Sequence, residues 1–293
     1  MKYKLFTDSC IDLPDQLAKR LEIEVLPLKV TVKGKEYSNY LDNREITPEQ
    51  FYNLLREQNT ASTAQLNPHD FIEKFTPVLD EGFDILYISF SSALSGTYNS
   101  SIIAKKELEE KYKTSKIEVI DSLSASMGQG LLVTLAANKK LQGLSIDELV
   151  KYVNDIKLDI SHLFTVSDLG HLRRGGRLSA SSLVLGNLLN IKPLLHVNTL
   201  GELKVYGKAR GRFKSLNNLI SRMEETFDKE RNEIIYISHG DCLEDAIYVR
   251  DNIIKKFGLK EENFLINPIG PVIGAHSGVN TLAIFYIGNE RTY

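Results

Sequence analysis

The chain has 293 residues, which at roughly 150 residues per domain suggests about two domains. Hydrophobic residues make up 42% and charged residues 25%, the proportions of a globular protein rather than a disordered, collagenous or membrane-spanning one. Thirty-six Lys and Arg stand against thirty-eight Asp and Glu, a formal charge of −2, so no overall field exists to hold nucleic acid or an anionic bilayer. Cys10 and Cys242 lie far apart and outside any CxxC or Cys/His cluster, which gives no sign of a zinc site or a disulfide framework. Asp8 and Asp12 interrupt any secretory signal at the start. The apolar runs 131–137 and 282–287 fall short of the roughly 20 residues that cross a bilayer. A cytoplasmic location is expected.

In chain order, β-branched apolar runs at 4–6, 83–90, 117–120 and 163–166 read as strands. They alternate with helical periods, the order of α/β layers. Thr47-Pro48-Glu49-Gln50 spells a capping box with Pro at the first helical position. Asn67-Pro68 repeats the cap before Phe71 and Phe75, and Ser145 with Glu148 opens a helix whose apolar residues include Ile146, Leu149, Val150 and Val153. Two runs at 192–198 and 202–207 flank Thr199-Leu200-Gly201 as a hairpin. A helix follows with Phe213, Leu216, Leu219, Ile220, Met223 and Phe227 on one face. Then come a strand at 233–238, a helix from Asp241 ending at Gly258, a strand near Phe264 and a last strand at 281–287. The expected domains are residues 1–158 and 159–293, the second with a mixed sheet, with room for the chain to cross back.

Chemistry concentrates in a few loops. Ser91-Ser92-Ala93-Leu94-Ser95-Gly96-Thr97 joins a strand to a helix carrying Ile102, Ile103 and Leu108, where hydroxyls, amide N–H groups and the helix dipole converge on a small anion. Ordinary capping competes with that reading, although one hydroxyl suffices for a cap. Asp8-Ser9 and Asp121-Ser122 also end strands and would open on the same crevice if the strands are parallel neighbours, although turn-forming Asx side chains explain each alone. In Asp168-Leu169-Gly170-His171-Leu172-Arg173-Arg174-Gly175-Gly176-Arg177, a solvated helix end and a broken helix turning one arginine inward are equally good readings. His276, expected in a Gly-rich loop spanning 270–278, and His239 are equal candidates on chemistry. Ser95, His276 and an Asp would supply a hydrolase triad, yet no Gly-x-Ser-x-Gly elbow, Walker loop, kinase signature or HExxH occurs. Gly128-Gln129-Gly130 is too little for a nucleotide site.

Thr7-Asp8-Ser9 with Asp12-Leu13, Thr63-Ala64-Gln65 with Asn67-Pro68, Leu94-Ser95-Gly96-Thr97-Tyr98, Leu172-Arg173-Arg174-Gly175-Gly176-Arg177-Leu178-Ser179, Ile191-Lys192-Pro193 and Gly274-Ala275-His276 together resemble the DegV family. Its members bind fatty acids and include the binding subunit of bacterial fatty acid kinase. The resemblance implies two α/β domains, the first with a mainly parallel sheet and helices on both faces, and a ligand tunnel between them. It also implies a carboxylate site at Thr63, Ser95 and the Gly96 N–H, supported by Arg177 and His276 from the second domain. Two departures bear on ligand preference: Ala64 stands where the family usually has Ser, and Val279-Asn280 replaces its usual Pro-Gly. In kinase-associated members a basic surface docks the kinase, which makes Arg210 and Arg212 candidates here.

The leading expectation is therefore a non-catalytic carrier of a long-chain fatty acid such as palmitate. It would use no cofactor or metal and would present the carboxylate to an ATP-dependent fatty acid kinase for acyl-phosphate formation and phospholipid synthesis. The alternatives are a small serine hydrolase or phosphoryl-transfer enzyme using Ser95 and His276, and a ligand sensor without a kinase.

Overall fold

The computed structural model describes residues 2–167, 169–178, 190–289 and 291; Asp168 and Ser179 of the arginine-rich segment lie outside them. Among these residues the strands form three sheets. The first joins β1 (Tyr3–Asp8), β2 (Ile23–Leu26), β6 (Asp84–Ser89) and β7 (Ile117–Asp121) in the order β2-β1-β6-β7, parallel throughout. The second is a small antiparallel sheet with β3 (Lys29–Val32) between β4 (Lys35–Ser38) and β5 (Ala61–Ala64). The third takes β8 (Ile160–Thr165), β9 (Ile191–Val197), β10 (Leu203–Arg210), β11 (Ile235–His239), β12 (Phe264–Pro268) and β13 (Leu282–Ile287) in the order β10-β9-β8-β13-β11-β12. It is mixed, with β11 and β12 parallel and the other pairs antiparallel.

Side-chain alternation along the strands explains the layering. Phe6, Tyr87 and Ile117 face Phe71, Phe75 and Leu108 of α3 (Pro68–Asp80) and α4 (Thr97–Lys111). Leu5, Leu86 and Ile120 face the other way, against α5 (Met127–Leu141) and α6 (Ile146–Ile156), while α1 (Asp15–Arg20) leans on β2. A sheet covered on both faces needs no polar side, and all six residues of β6 are buried. The outer face of the third sheet, with Ile237 and Ile284, packs on Leu216 and Met223 of α8 (Arg212–Glu224) and on Val249 and Ile253 of α9 (Leu243–Phe257).

Helix α5 joins the two large sheets. Every residue from Met127 to Thr134 is buried. Towards the first sheet, the Gln129 amide donates to Thr7 Oγ1 at 3.0 Å and Asp8 Oδ2 at 3.3 Å; towards the third, Thr134 Oγ1 accepts from Tyr236 Oη at 3.1 Å. Its two glycines allow the close approach on either side. A Cβ at Gly128 would stand 2.0 Å from His162 Nε2, and one at Gly130 would stand 2.6 Å from the Ile11 carbonyl oxygen.

The contiguous cap signals form as expected. Thr47–Gln50 before α2 (Pro48–Arg56), Asn67–Asp70 before α3 and Ser145–Glu148 before α6 all close reciprocal capping boxes. Gly258 ends α9 in the left-handed region at φ 64°. Other expectations need correcting. Phe213 is 63% exposed and meets Tyr248 edge-on instead of joining the core stripe, and Phe227 lies beyond the end of α8. Ile103 lies on α4 as expected, with its side chain facing solvent. Asp241 does not start α9: it adopts φ 58° and pairs with Arg56, which leaves Cys242 at the cap.

The segment 270–278 is not a loop but contains a helix, α10 (Pro271–Ser277). Gly270 enters it extended, Pro271 takes the first position, and Gly278 ends it at φ 79°. Gly274 serves packing, since a Cβ there would come within 2.7 Å of Tyr52 Oη. Although it comes late in the chain, α10 packs on α2, β3 and β5.

The tight seat of α5 gives a direct test. Gly130→Ala should lower the unfolding free energy by about 1–3 kcal/mol, the usual penalty for overpacking a core. Urea denaturation curves superimposable on wild type would show that α5 has slack against the 3-10 turn containing Ile11.

Candidate functional site

The parallel order puts the carboxyl ends of β1, β6 and β7 on one sheet edge, where open α/β sheets receive ligands. Asp8 holds this edge together. Its Oδ2 accepts from Tyr87 Oη and the Phe90 N–H, each at 2.8 Å, and its Oδ1 accepts from the Cys10 N–H at 3.1 Å. Burial pushes the Asp8 carboxyl above its ordinary range while these donors pull it back. Asp121 Oδ1 accepts from the Ser92 and Leu123 N–H groups, an Asx role that shapes two loops at once.

Between this edge, the third sheet and α10 lies a mainly apolar cavity, with walls that include Phe90, Leu94, Phe164, Phe285, Val272 and Ile273. Both halves of the chain contribute.

Thr63, Ser95, Arg177 and His276 all border this cavity. Thr63 Oγ1 and His276 Nε2 are 2.8 Å apart. The imidazole packs against Gly175, where a Cβ would stand 2.1 Å from Nδ1, and Nδ1 is buried with no partner among the described residues. Burial, then the charges of Arg177 and His171, push the His276 pKa down to about 4, so the ring is neutral near pH 7. A stranded lone pair at Nδ1 is cheaper than a stranded N–H. This assigns the proton to Nε2, which donates to Thr63 Oγ1 and leaves the Thr63 hydroxyl hydrogen free of that contact.

Ser95 Oγ accepts from the Thr97 N–H at 3.2 Å and shares a hydrogen with Thr97 Oγ1 at 2.9 Å, so it sits over the first turn of α4. Gly96 is packed on Gln65, whose Oε1 would stand 2.2 Å from a Cβ, and the Gln65 amide donates to Ser100 Oγ at 3.3 Å. These contacts tie the end of β5 to the start of α4. Arg177, just past the short helix α7 (Gly170–Arg174), turns inward: its Nε donates to the Leu94 carbonyl at 2.9 Å and burial lowers its pKa. Arg173 and Arg174 face solvent.

The other candidates lie elsewhere. His239 Nδ1 accepts from the Cys242 N–H at 3.2 Å, at the start of α9. Arg210 is exposed on β10, whereas Arg212 is held by Asp245, with Nε to Oδ2 at 2.8 Å, and by Cys242 Sγ. The imidazole contact runs to Thr63, while Ser95 is engaged with Thr97, so the nucleophile–base pair of a Ser95–His276 hydrolase is not assembled. Asn280 adopts φ 62°, a left-handed conformation that Asn tolerates well.

One polar group in the cavity wall has no counterpart in the sequence reading. Ser126 Oγ donates to Asp12 Oδ2 at 2.6 Å and lies 3.1 Å from Ser238 Oγ, while Asp12 Oδ1 accepts from the Gly270 N–H at 2.9 Å. Both Asp12 and Ser126 have positive φ, at 49° and 51°, unusual for residues other than Gly. Asp12 was visible as part of a motif, but its partner is 114 positions away. Among the described residues no cluster of His, Cys, Asp or Glu is arranged to hold a metal ion, and no helix is long and apolar enough to cross a membrane.

A family model described as an uncharacterised protein of the DegV family matches residues 2–289. A DegV domain-containing protein of Clostridium perfringens is 46% identical over 290 residues, 99% of either chain. Among solved structures, a DegV family protein from Thermus thermophilus described for its fatty acid binding is 30% identical, with a TM-score of 0.87 over 98% of this chain and 100% of its own. A fatty acid binding DegV family protein from Streptococcus agalactiae is also 30% identical, with a TM-score of 0.83 over 98% of both chains. DegV-family structures bind fatty acids, and the parallel first sheet with a mixed third sheet is their fold.

Burial raises the Asp12 pKa from 3.8 to about 7, against hydrogen bonds from Ser126 and Gly270 that lower it and the charge of Asp8 that raises it further. Between those two pH values the folded chain carries a proton that the unfolded chain has lost, so this group's contribution to stability falls as pH rises through that window. His276 acts in the opposite sense: unfolded chains take up its proton from pH 6.5 downwards and the folded chain only near 4, so stability is lost as pH falls across that range. Asp12→Asn should therefore raise the thermal midpoint more at pH 8 than at pH 5. Equal shifts at both pH values would remove Asp12 from the titration.

Proposed function

Because the chain belongs to the DegV family, we propose that it holds a long-chain fatty acid such as palmitate, its tail in the apolar cavity and its carboxylate at Thr63, Ser95 and the Gly96 N–H. Arg177 and His276 support the head group. The observation that carries this reading is that one apolar cavity gathers Thr63, Ser95, Arg177 and His276 along its wall. Burying about fourteen methylenes at ~0.8 kcal/mol each yields roughly 11 kcal/mol gross, before the costs of association. The tail supplies affinity and the polar groups fix orientation.

Neutral donors suit the head group. Hydroxyl and amide N–H groups satisfy a desolvated carboxylate without a bidentate arginine clamp on both oxygens. Arg177, turned to the Leu94 carbonyl, adds positive potential rather than a clamp. An oxygen stays available, and we read this as the basis for presenting the acid to an ATP-dependent fatty acid kinase that makes acyl phosphate for phospholipid synthesis. Arg210 and Arg212 form the docking candidates; of the two, Arg210 is the cleaner probe because Arg212 also braces Asp245.

Thr63→Val and Ser95→Ala should each weaken palmitate binding about tenfold to a hundredfold, the range for losing a hydrogen bond to a charged group. Displacement of a fluorescent fatty acid measures this. Purified chain that carries no lipid by mass spectrometry and binds no added palmitate would overturn the reading. Arg210→Glu should slow acyl-phosphate formation with a partner kinase while palmitate affinity stays the same; unaltered turnover would dismiss that docking surface.

A further inference from the structure

Two stations on the cavity wall hold polar side chains at hydrogen-bond distance from each other. Thr63 and His276 mark the first. The second is the hydroxyl pair of Ser126 and Ser238, 3.1 Å apart, and both residues border the cavity. Helix α10 measures the distance between the stations. His276 lies near its carboxyl end, while Gly270, whose N–H is bound to Asp12 beside Ser126, immediately precedes it. Six residues at 1.5 Å rise give about 9 Å along the helix, a span that reaches the middle of a long acyl chain and not its end.

Hydrogen-bond direction defines what the second station offers. When Asp12 is ionised, Ser126 spends its hydrogen on it, and the Ser238 hydroxyl is then the one of the pair that can donate. Ser238 Oγ then keeps acceptor capacity in a low-dielectric wall, and Ser126 Oγ retains a second lone pair. Ser126 is held for this at φ 51°, where Gly would be the relaxed choice. An unsubstituted tail leaves these acceptors idle, whereas a hydroxyl in the chain would donate to them.

Building on the fatty acid reading above, we propose that the cavity accepts long-chain fatty acids bearing a hydroxyl near mid-chain, recognised by Ser238 and Ser126.

The test compares three probes by competition against a fluorescent fatty acid: stearic acid, stearic acid hydroxylated near mid-chain, and stearic acid hydroxylated at its terminal carbon. The mid-chain hydroxy acid is expected to bind within about threefold of stearic acid, and the terminal isomer at least about tenfold more weakly, because its hydroxyl lies out of reach of Ser126 and Ser238. In Ser238→Ala the affinity ratio of mid-chain hydroxy acid to stearic acid should fall by about three- to tenfold. Ser126→Gly, which suits the backbone conformation, should lower the same ratio and guards against a Ser238 variant that fails to fold. Two hydroxy isomers bound equally weakly, or a ratio unmoved in both variants, would overturn the proposal even with stearic acid bound well. Failure to bind stearic acid would instead overturn the fatty acid reading on which it rests.

Discussion

The burial of the first two turns of α5, Met127–Thr134, on all sides is the constraint from which the rest of the structure follows. A helical stretch with no exposed face must be covered everywhere, and here the parallel sheet covers one side and the mixed sheet the other. Gly128 and Gly130 set the spacing, since any side chain at either position would collide with His162 or with the Ile11 carbonyl. Close packing along α5 gives way to open space beyond its amino end, where Ala125 and Ser126 border the cavity. The cavity is what remains between two sheets that one helix holds at a fixed distance.

The chemistry around that space is economical in charge. Arg177 is the one arginine on the cavity wall among the described residues, and its Nε is turned to a backbone carbonyl. His276 is kept neutral by burial and by nearby positive charge. A chain with a formal charge of −2 exerts little long-range attraction on an anion. For the amphiphile proposed above that matters little, because apolar burial would drive association and the hydroxyls would need only to select an orientation.

Legibility in the sequence followed separation along the chain. Capping boxes such as Thr47–Gln50 span four residues and obey local rules, so they could be read directly. The hairpin of β9 and β10 and the left-handed Gly258 were equally visible. Helix α10 was hidden because its glycines signal a turn when read alone, whereas Gly274 is there to admit Tyr52 from a distant helix. Phe213 was misread because periodicity marks a face of α8 without telling how far the sheet extends over it. Thr63 meets His276 across 213 positions, a pairing that no spacing rule supplies; the resemblance to a family brought them together. The Asp12–Ser126–Ser238 cluster escaped both routes, since serines near strand ends pass for caps.

Because both sheets share α5, the chain has no half that can be lost while the other stays whole. A ligand seated between the sheets is then linked to the integrity of the entire molecule: at a hundredfold excess over its dissociation constant it adds about 2.7 kcal/mol to the folded state. In a cell, a margin of that size changes how often proteases meet an unfolded chain. If that ligand is the proposed fatty acid, the abundance of the protein would follow its lipid supply, with the shared helix turning occupancy of one cavity into the lifetime of the whole chain.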